Sequence, residues 1–318
     1  MNPPFFLGVD GGQSSTTALI GDAAGRVLGF GQGGPCNHVG ASEGRAKFLH
    51  AIQGCLNQAC ARAGLDPASV RFASACLGFS GGPADKESLL HEIFASDRLN
   101  VTHDGLIALS GATAGEPGII IIAGTGSFCF GRNARGETAR AGGWGYLFGD
   151  EGGGFDLARQ ALRAALRSEE GWGPPTVLLE RLLAETGSSD ANHLLHRFYT
   201  TEFPRPRIAS FSKLVDRAAQ DGDAVAAKLL NTAAQELAVF VSAAGQRLFT
   251  VGEPVRVAYI GGVFRSRTLL ERFRTIVELN DAMQVGPPAY GPAAGALIEA
   301  YRAAGLPGIL SEVPEIEK

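Results

Sequence analysis

The chain has 318 residues, about twice the length of an ordinary domain, so two domains are expected. Hydrophobic residues make up 45% of it and charged residues 19%, a balance typical of a compact enzyme rather than of a disordered chain or a coiled coil. The net charge of −4 and the pI near 5.9 provide no basic surface for a nucleic-acid backbone or an anionic membrane, and we expect neither as a partner.

The first residues and the cysteines favour a cytoplasmic protein. Residues 1–6 are uncharged and too short for a cleavable signal, and the longest apolar run, Ile119 to Ala123, is too short to cross a bilayer. The five cysteines are odd in number and include no CxxC pair, which favours neither a disulfide framework nor a zinc knuckle. We expect most of them to be small buried hydrophobes. They are Cys36, Cys55, Cys60, Cys76 and Cys129.

Two segments of the chain predict the same β-meander. Residues 5–31 read FFLGVDGGQSSTTALIGDAAGRVLGFG: an apolar strand, a glycine-rich turn, a second strand, a polar turn and a third strand. Residues 118–145 read GIIIIAGTGSFCFGRNARGETARAGGWG and repeat that plan. Matching glycines of the two glycine-rich turns, Gly11 and Gly124, lie 113 residues apart, and those of the two polar turns lie 111 apart. Self-similarity of a whole meander indicates two related domains, each opening with a turn that faces phosphate.

The remaining chain predicts helices and strands in both halves, which indicates a mixed α/β fold. Helices are expected at 42–63, 86–95, 155–167, 177–185, 224–249, 266–279 and 292–304, and strands at 70–77, 100–102 and 256–260. We predict a first domain over residues 1–115 and a second over 116–291, with the boundary at a GEPG turn. The alanine-rich helix 292–304, with Pro292 in its first turn, is expected to return to the first domain.

Two glycine-rich turns carry the chemistry of phosphate binding. The turn DGGQSST, residues 10–16, offers closely spaced backbone N–H groups, small hydroxyls and one carboxylate, which suit a phosphate and a magnesium ion. Alone, it could be an ordinary β-turn. It is neither a Walker A loop nor a dinucleotide motif, because GxxxxGK[ST] is absent from the sequence and no helix follows the turn. GTGS, residues 124–127, repeats the chemistry, and two such turns can hold a triphosphate from opposite sides of a cleft.

Two further positions have both a functional and a structural interpretation. Gly261 and Gly262 follow a predicted strand and precede a helix, so their backbone could lie flat against adenosine or simply form a turn. Asp104 opens the predicted helix DGLIALSGA, where it could be the N-cap. Phosphoryl transfer to a hydroxyl also needs a carboxylate that orients the nucleophile and accepts its proton, and the end of a strand is a suitable place for one.

The order of these motifs resembles a known family. DGGQSST is followed by CNHVG, LGFSGG, THD, AGTGS, GGWGYLFGDEGGG and YIGGVFRS. This pattern, from Leu7 to about Leu270, is similar to the N-acetylglucosamine kinase branch of the acetate kinase/hexokinase/Hsp70/actin superfamily. That branch is grouped with the BadF/BadG/BcrA/BcrD ATPases, the activators of benzoyl-CoA reductase and 2-hydroxyacyl-CoA dehydratase. The resemblance implies two ribonuclease H-like domains of the actin/hexokinase ATPase type, with the active site in a cleft between them.

The resemblance also implies roles for individual residues. On the nucleotide side it implies that ATP is bound by Gly11, Gly12, Gln13, Ser14, Gly124, Thr125, Gly126, Ala219, Gly262 and Ser266, and that Asp10 assists Mg²⁺ through water. On the sugar side it implies hydroxyl ligands at Asn37, His38, Gly143, Trp144, Gly145 and Asp150, with Asp104 as the catalytic base and a further sugar ligand.

Departures from the family pattern and plain structural alternatives limit these roles. Gln13 stands where a glycine is common, and Phe128 is a bulky residue beside the second phosphate turn, which leaves nucleotide and acyl-group selectivity open. Trp144 could be a core aromatic, and His38 could be a turn residue. Asp150 and Glu151 could cap the helix that begins near Gly154, since acidic groups favour a helix N-terminus.

The sequence therefore favours an ATP-dependent kinase that phosphorylates the 6-hydroxyl of N-acetylglucosamine or glucosamine, with domain closure excluding water. One alternative is an activator ATPase that works through an iron–sulfur cluster, but no paired cysteine-rich loop is present. Another is a non-catalytic sugar sensor, but no helix-turn-helix segment precedes Phe5 and no basic surface is expected. The choice of sugar, N-acetylmuramic acid and N-acetylmannosamine included, stays open, as do the nucleotide preference and the oligomeric state, a homodimer included.

Overall fold

The computed structural model describes residues 3–12, 14–36, 42–80 and 86–318, with the backbone alone for residues 42 and 43. The chain forms two compact units. Unit 1 comprises Met1–Pro117 and Pro288–Lys318, and unit 2 comprises Gly118–Pro287. Each unit has its own sheet and its own hydrophobic core, as expected of a domain.

Unit 1 is built on a mixed sheet. Its strands are β1 (Phe5–Gly11), β2 (Thr16–Asp22), β3 (Val27–Gly33), β4 (Arg71–Phe79), β5 (Ala95–Ser96) and β6 (Leu99–His103). The first three form an antiparallel meander, and β4 and β6 continue the sheet in parallel on the other side of β1. The strand order is therefore β3-β2-β1-β4-β6, with the short β5 also paired to β4.

Helices cover both faces of this sheet. They are α1 (Ser42–Ala63), α2 (Glu87–Leu90), α3 (Asp104–Ala112) and, from the end of the chain, α11 (Pro292–Ala303). The first packs on β3 and β2, whereas α11 packs on β1, β4 and α3. A Cβ added at Gly8 of β1 would lie 2.6 Å from the Cα of Leu297, and one added at Gly295 would lie 2.9 Å from the Cα of Gly111 in α3. Because neither glycine position has room for a side chain, the backbone of α11 lies directly on β1 and α3.

Unit 2 repeats the sheet of unit 1. Its strands are β7 (Gly118–Ala123), β8 (Ser127–Arg132), β9 (Thr138–Gly142), β10 (Val255–Ile260) and β11 (Met283–Gly286). Their order is β9-β8-β7-β10-β11, again with an antiparallel meander followed by two parallel strands. The polar turns match as well, since Gly25 and Gly136 both have a left-handed φ, of +82° and +79°. This duplication confirms the predicted α/β fold with two ribonuclease H-like halves.

The helices of unit 2 lie largely between β9 and β11 in the chain. They are α4 (Gly154–Glu169), α5 (Leu178–Thr186), α6 (Ala191–Phe198), α7 (Arg205–Ser210), α8 (Ser212–Gln220), α9 (Ala224–Leu248) and α10 (Arg267–Val277). By length and composition, α9 could cross a membrane. However, it packs on β7, β8, β9 and α10, and its residues Leu230, Leu237 and Val241 lie in the core of unit 2. Core packing of this kind accounts for its apolar character.

Most of the predicted elements are confirmed, with ends that differ by two residues or fewer. The helix predicted at 86–95 is wrong: α2 has only four residues, and the chain then turns so that Phe94 packs edge-on against Phe72 and β5 pairs with β4. The sequence also predicts no element at α6, α7, α8 or β11. These elements are short, and although Asp190 is an N-cap that accepts the His193 N–H at 2.8 Å, periodicity over so few residues is a weak signal.

Candidate active site

Three parallel strands of unit 1 end at one edge of the sheet, and a polar residue lies at each end. Strand β1 pairs in parallel with β4, and β4 pairs in parallel with β6. Asp10 lies at the end of β1, Ser80 follows β4, and Asp104 follows β6. The carboxyl ends of the strands in an open α/β sheet are where ligands bind. This edge is therefore the candidate catalytic edge of unit 1.

Two hydrogen bonds hold the Asp104 carboxylate. Ser80 Oγ donates to Asp104 Oδ2 at 2.8 Å, and the Gly105 N–H donates to Oδ1 at 2.8 Å. The N-cap of α3 is His103, whose Nδ1 accepts the Leu106 N–H at 3.2 Å. The N-cap interpretation of Asp104 is therefore wrong. Each carboxylate oxygen has further lone pairs for another donor, such as a hydroxyl.

Asp10 lies near two other carboxylates of unit 1. Burial and the negative charges of Glu317 and Asp104 raise the pKa of Asp10 from 3.8 to about 7. Glu317 is itself buried, with Oε2 accepting the Ala294 N–H at 2.9 Å, and burial raises its pKa as well. A cation would relieve this concentration of negative charge, which fits the predicted role of Asp10. In the described part of the chain, no group of three or more Asp, Glu, His and Cys side chains could hold a metal ion, so an ion at Asp10 would also need ligand or water oxygens.

The turn after β1 is tight because no side chain fits at Gly11. A Cβ there would overlap the ring of Phe79. The Gly12 N–H donates to the Ser15 carbonyl at 3.0 Å, so it is engaged within the turn, and Ser14 is exposed beside it. Three predicted ligands lie outside the described residues: Gln13, Asn37 and His38.

The phosphate turn of unit 2, residues 124–127, is bonded to the start of α4. The Gly154 N–H donates to the Gly124 carbonyl at 2.8 Å, and the Phe155 N–H donates to the Thr125 carbonyl at 3.0 Å. The backbone of this turn is therefore fixed by the segment that follows the predicted sugar-binding residues. The Thr125 side chain is half-buried.

Asp150 lies against the same phosphate turn. A Cβ added at Gly126 would lie 2.6 Å from the Asp150 Cγ. Asp150 is 7% exposed and has a φ of +64°, which is uncommon for a residue other than glycine and is found at functional sites. It does not cap the following helix, because the N-cap of α4 is Gly153, so the capping interpretation is wrong. The structure thus brings a predicted sugar ligand into contact with a predicted ATP-binding turn.

The GGWG loop, residues 142–145, starts at Gly142, the last residue of β9. Its glycines all have left-handed φ values: Gly142 (+74°), Gly143 (+73°) and Gly145 (+83°). Trp144 is 73% exposed, so its interpretation as a core aromatic is wrong. Leu147 and Phe148 are also exposed. Exposed apolar side chains within one short segment make it a candidate binding surface.

A cavity of about 210 Å³ in unit 2 contains two of the residues predicted to lie by adenosine. Gly262 and Ser266 line it together with Asp216 of α8. Ser266 Oγ accepts the Leu269 N–H at 3.3 Å and donates to Asp216 Oδ1, so its proton is used within the protein. Ala219, one turn further along α8, packs against the hydrophobic core of unit 2.

Four residues at these positions have no role in the sequence prediction. Ser80 carries a signal, since it lies in the motif LGFSGG three positions after the end of the strand predicted at 70–77, and His103 precedes Asp104. Arg140, which donates to the Gly142 carbonyl at 3.0 Å, lies within the second meander but has no motif of its own. Glu317 is far from Asp10 in sequence, so only the folded chain shows that they are neighbours.

Comparison with known proteins identifies one matching family and finds amino-sugar kinases among the chain's relatives. The model of the BadF/BadG/BcrA/BcrD ATPase family matches residues 7–300. The N-acetylmuramic acid/N-acetylglucosamine kinase of Clostridium acetobutylicum is 32% identical over 283 residues, which cover 87% of this chain and 91% of that protein. The glucosamine kinase GspK of Vibrio cholerae is 28% identical over 251 residues, which cover 75% of this chain and 80% of that protein.

A solved structure agrees with the sequence relatives. It is that of a candidate N-acetylglucosamine kinase from Chromobacterium violaceum, with a TM-score of 0.70 and 28% identity. The match covers 93% of this chain and 98% of that one. The similarity therefore extends over both units.

Proposed function

The chain belongs to the BadF/BadG/BcrA/BcrD ATPase family, and we propose that within it the protein is an ATP-dependent amino-sugar kinase. The observation that carries the proposal is the Asp104 carboxylate, held by Ser80 and Gly105 at the catalytic edge of unit 1. Phosphoryl transfer to a hydroxyl requires a carboxylate of this kind. The relatives named as kinases of N-acetylmuramic acid, N-acetylglucosamine and glucosamine support the amino sugar as substrate.

Asp104 acts as the base for the 6-hydroxyl of the sugar. Its carboxylate accepts the hydrogen bond of that hydroxyl, orients the oxygen and takes the proton as the γ-phosphoryl group is transferred. Ser80 and the Gly105 N–H fix the two carboxylate oxygens before the sugar binds. A base that is already oriented needs no rearrangement in the transition state, which lowers the barrier.

Each unit has one glycine-rich turn suited to the phosphates of ATP. In unit 1 the turn contains Ser14, and in unit 2 it contains Thr125. Magnesium, when bound, neutralises charge on the phosphates. Asp10 would hold that ion through water, and its raised pKa shows that burial and the neighbouring carboxylates disfavour its charged form when no cation is present. The adenosine end lies in the cavity of unit 2 beside Gly262 and Ser266.

The sugar is bound by the GGWG loop and by Asp150. The exposed indole of Trp144 offers a flat apolar surface to the C–H face of a pyranose, while loop backbone groups and the carboxylate of Asp150 bind hydroxyls. Asn37 and His38 belong to the same predicted set. We place the enzyme in the cytoplasm, where ATP is available.

The cysteines favour a kinase over an activator ATPase. All five lie in hydrophobic cores, and burial raises the pKa of the Cys55 thiol to about 12 and that of the Cys60 thiol to about 11. Burial also raises the pKa values of the Cys76 and Cys129 thiols. Iron–sulfur clusters are held by thiolates, and buried thiols with raised pKa values are poorly suited to that role.

A coupled ADP-release assay across amino sugars and plain hexoses tests the proposal. We expect sugar-dependent ADP release with N-acetylglucosamine or glucosamine, and its loss in Asp104→Asn, which serves as the matched control. If no amino sugar raises ADP release above the Asp104→Asn background, the proposal is wrong. Sugar-independent ADP release that survives this substitution would instead indicate an activator-type ATPase.

A further inference from the structure

We infer that Arg140 is a positioning residue of the amino-sugar site, which holds the GGWG loop in the shape that binds the sugar. This inference rests on the proposed function. Arg140 lies on β9, two residues before the loop begins at Gly142, and its side chain lies along the loop. It is exposed, and it forms no ion pair with a carboxylate of the described residues. Its contacts are therefore made to the loop itself.

One side chain contacts three consecutive residues of the loop. Arg140 Nε donates to the Gly142 carbonyl at 3.0 Å, and Nη2 donates to the Gly143 carbonyl. The guanidinium carbon lies 5.4 Å from the centroid of the Trp144 ring. A guanidinium is planar and presents its donors in a fixed fork, so two carbonyls bonded to it are held in a fixed relative orientation.

The loop needs such support because its own backbone is permissive. Glycines populate left-handed and right-handed conformations alike, so consecutive glycines lose much entropy when they are held in one conformation. On one side the loop is packed against the protein: a Cβ at Gly142 would lie 2.7 Å from the Phe240 ring, and one at Gly143 would lie 2.8 Å from the Phe128 Cβ. The Cβ at Gly143 would also lie 2.6 Å from Arg140 Nη2. Phe128 therefore supports the loop from β8, and Arg140 holds it in place by its carbonyls.

Arg140 also determines where the Trp144 indole stands. A cation over an aromatic face is attracted by the ring electrons, and this orients a side chain that is otherwise 73% exposed. With the guanidinium on one face, the opposite face is left for the sugar. Without Arg140, both the loop and the indole would have to be ordered by the sugar on binding. The free-energy cost of this ordering would weaken sugar binding and would not slow the transfer step at Asp104.

Steady-state kinetics of Arg140→Ala and Arg140→Lys test the inference. We expect Arg140→Ala to raise the KM for the amino sugar about tenfold or more, with kcat and the KM for ATP within about threefold of the parent. Arg140→Lys should recover little, because an ammonium lacks the fork that bonds both carbonyls. The matched control is Arg135→Ala, an exposed arginine on the same hairpin that pairs with Glu137. An unchanged sugar KM in Arg140→Ala would overturn the inference.

A comparison of two substrates shows whether Arg140 positions the loop or contacts the sugar directly. N-acetylglucosamine is neutral, whereas N-acetylmuramic acid carries a carboxylate that could pair with Arg140 directly. Equal losses with both sugars support positioning through the loop. A loss confined to the anionic sugar would overturn it, because a disordered loop would impair both.

Fluorescence provides a readout that does not depend on turnover. The chain has two tryptophans, so Trp172→Phe leaves Trp144 as the single emitter. In this background Arg140→Ala should shift the Trp144 emission in the absence of sugar and raise the sugar concentration needed for the binding signal. Identical emission and titration curves would count against the inference. If the parent enzyme phosphorylates no amino sugar, the proposed function fails, while the sugar-free spectra still report on the contact of Arg140 with Trp144.

Discussion

The Asp150 carboxylate occupies the space that a side chain at residue 126 would need: a Cβ on Gly126 would lie 2.6 Å from Asp150 Cγ. A Cβ on Gly153 would likewise lie 2.8 Å from the carbonyl carbon of Gly126. Gly126 belongs to the phosphate turn of unit 2, and Asp150 follows the GGWG loop. In this unit the segments predicted to bind the nucleotide and the sugar are therefore in direct contact. A substitution at Gly126 should therefore affect binding of both the nucleotide and the sugar.

We predict that Gly126→Ala raises the KM for ATP and the KM for the sugar together. The added methyl displaces Asp150, and a shift of about 1 Å in a binding group is enough to reduce activity substantially. The matched control is Gly124→Ala in the same turn, where an added Cβ meets nothing within 4 Å. That variant should leave the sugar KM unchanged. Steady-state KM values for both substrates check the prediction, and a Gly126→Ala enzyme with a normal sugar KM contradicts it.

Thr125→Val should raise the KM for ATP more than the KM for the sugar. The substitution removes a hydroxyl from the phosphate turn and keeps the side-chain shape. The carbonyl of residue 125, which accepts the Phe155 N–H at 3.0 Å, is retained, so the turn itself should keep its fold. Substrate titrations of parent and variant provide the test. If the sugar KM alone changes, the GTGS turn has been assigned to the wrong ligand.

Asp104→Asn should lower kcat by about 10²- to 10⁴-fold, the usual contribution of a positioned general base, while sugar affinity stays within about tenfold. Ser80→Ala removes one of the two hydrogen bonds to the same carboxylate and should cost less, about tenfold in kcat. Both are measured by ADP release at saturating ATP, with sugar affinity measured separately by titration. Turnover of Asp104→Asn near the parent rate would remove the base from the mechanism. A normal kcat for Ser80→Ala would show that the Gly105 N–H alone orients the carboxylate.

Asp10→Asn should stabilise the protein at high pH when nucleotide and magnesium are absent. Burial, Glu317 and Asp104 raise the pKa of Asp10 to about 7 in the folded state, against 3.8 ordinarily. Below pH 3.8 the Asp10 carboxyl is protonated in both the folded and the unfolded state. As the pH rises through this window the unfolded chain releases its proton more readily, so stability falls until the folded group is also ionised. Asparagine cannot ionise, so it avoids this loss.

Thermal melts between about pH 4 and pH 8 in a chelator check this prediction. The variant should melt several degrees above the parent at the alkaline end and close to it at the acidic end. Asp281 is exposed, so Asp281→Asn is the control for a general change in net charge. A difference that does not vary with pH would show that Asp10 is not the group responsible. Loss of activity in the same variant is expected, since Asp10 is proposed to hold the magnesium ion.

Local patterns are sufficient to predict the framework of the fold. Apolar runs and the turn glycines Gly25 and Gly136 predict two meanders, and the later strands β4 and β10 pair in parallel with the first strand of each. The sequence order of motifs also predicts Asp104 and the GGWG loop as functional positions. What it cannot predict is which neighbours these residues meet. Glu317 raises the pKa of Asp10 through its negative charge. The two residues are neighbours because α11, from the other end of the chain, packs on β1.

Residue type alone also leaves the orientation of a side chain open. Trp144 suits a core as well as a surface, and its exposed position depends on the left-handed glycines around it and on its contact with Arg140. Ser266 has the right chemistry for a nucleotide ligand, yet its proton is used on Asp216. Whether Ala219 contacts the nucleotide stays a prediction, and so do the roles of the residues outside the described part of the chain.

The last prediction concerns the substrate: glucosamine or N-acetylglucosamine should be phosphorylated on O6 with a higher kcat/KM than glucose. A site that hydrogen-bonds a polar substituent discriminates strongly against an analogue that lacks it, because its own buried groups are then left without partners. The segments CNHVG and GGWGYLFGD resemble the sugar-binding segments of the N-acetylglucosamine kinase branch, which is the reason to expect such a site here. Values of kcat/KM for the three sugars, with the position of the phosphate determined by NMR, decide the question. Glucose as good as both amino sugars would refute this preference and leave the kinase assignment intact, whereas a phosphate on O1 or O3 would place a different hydroxyl at Asp104.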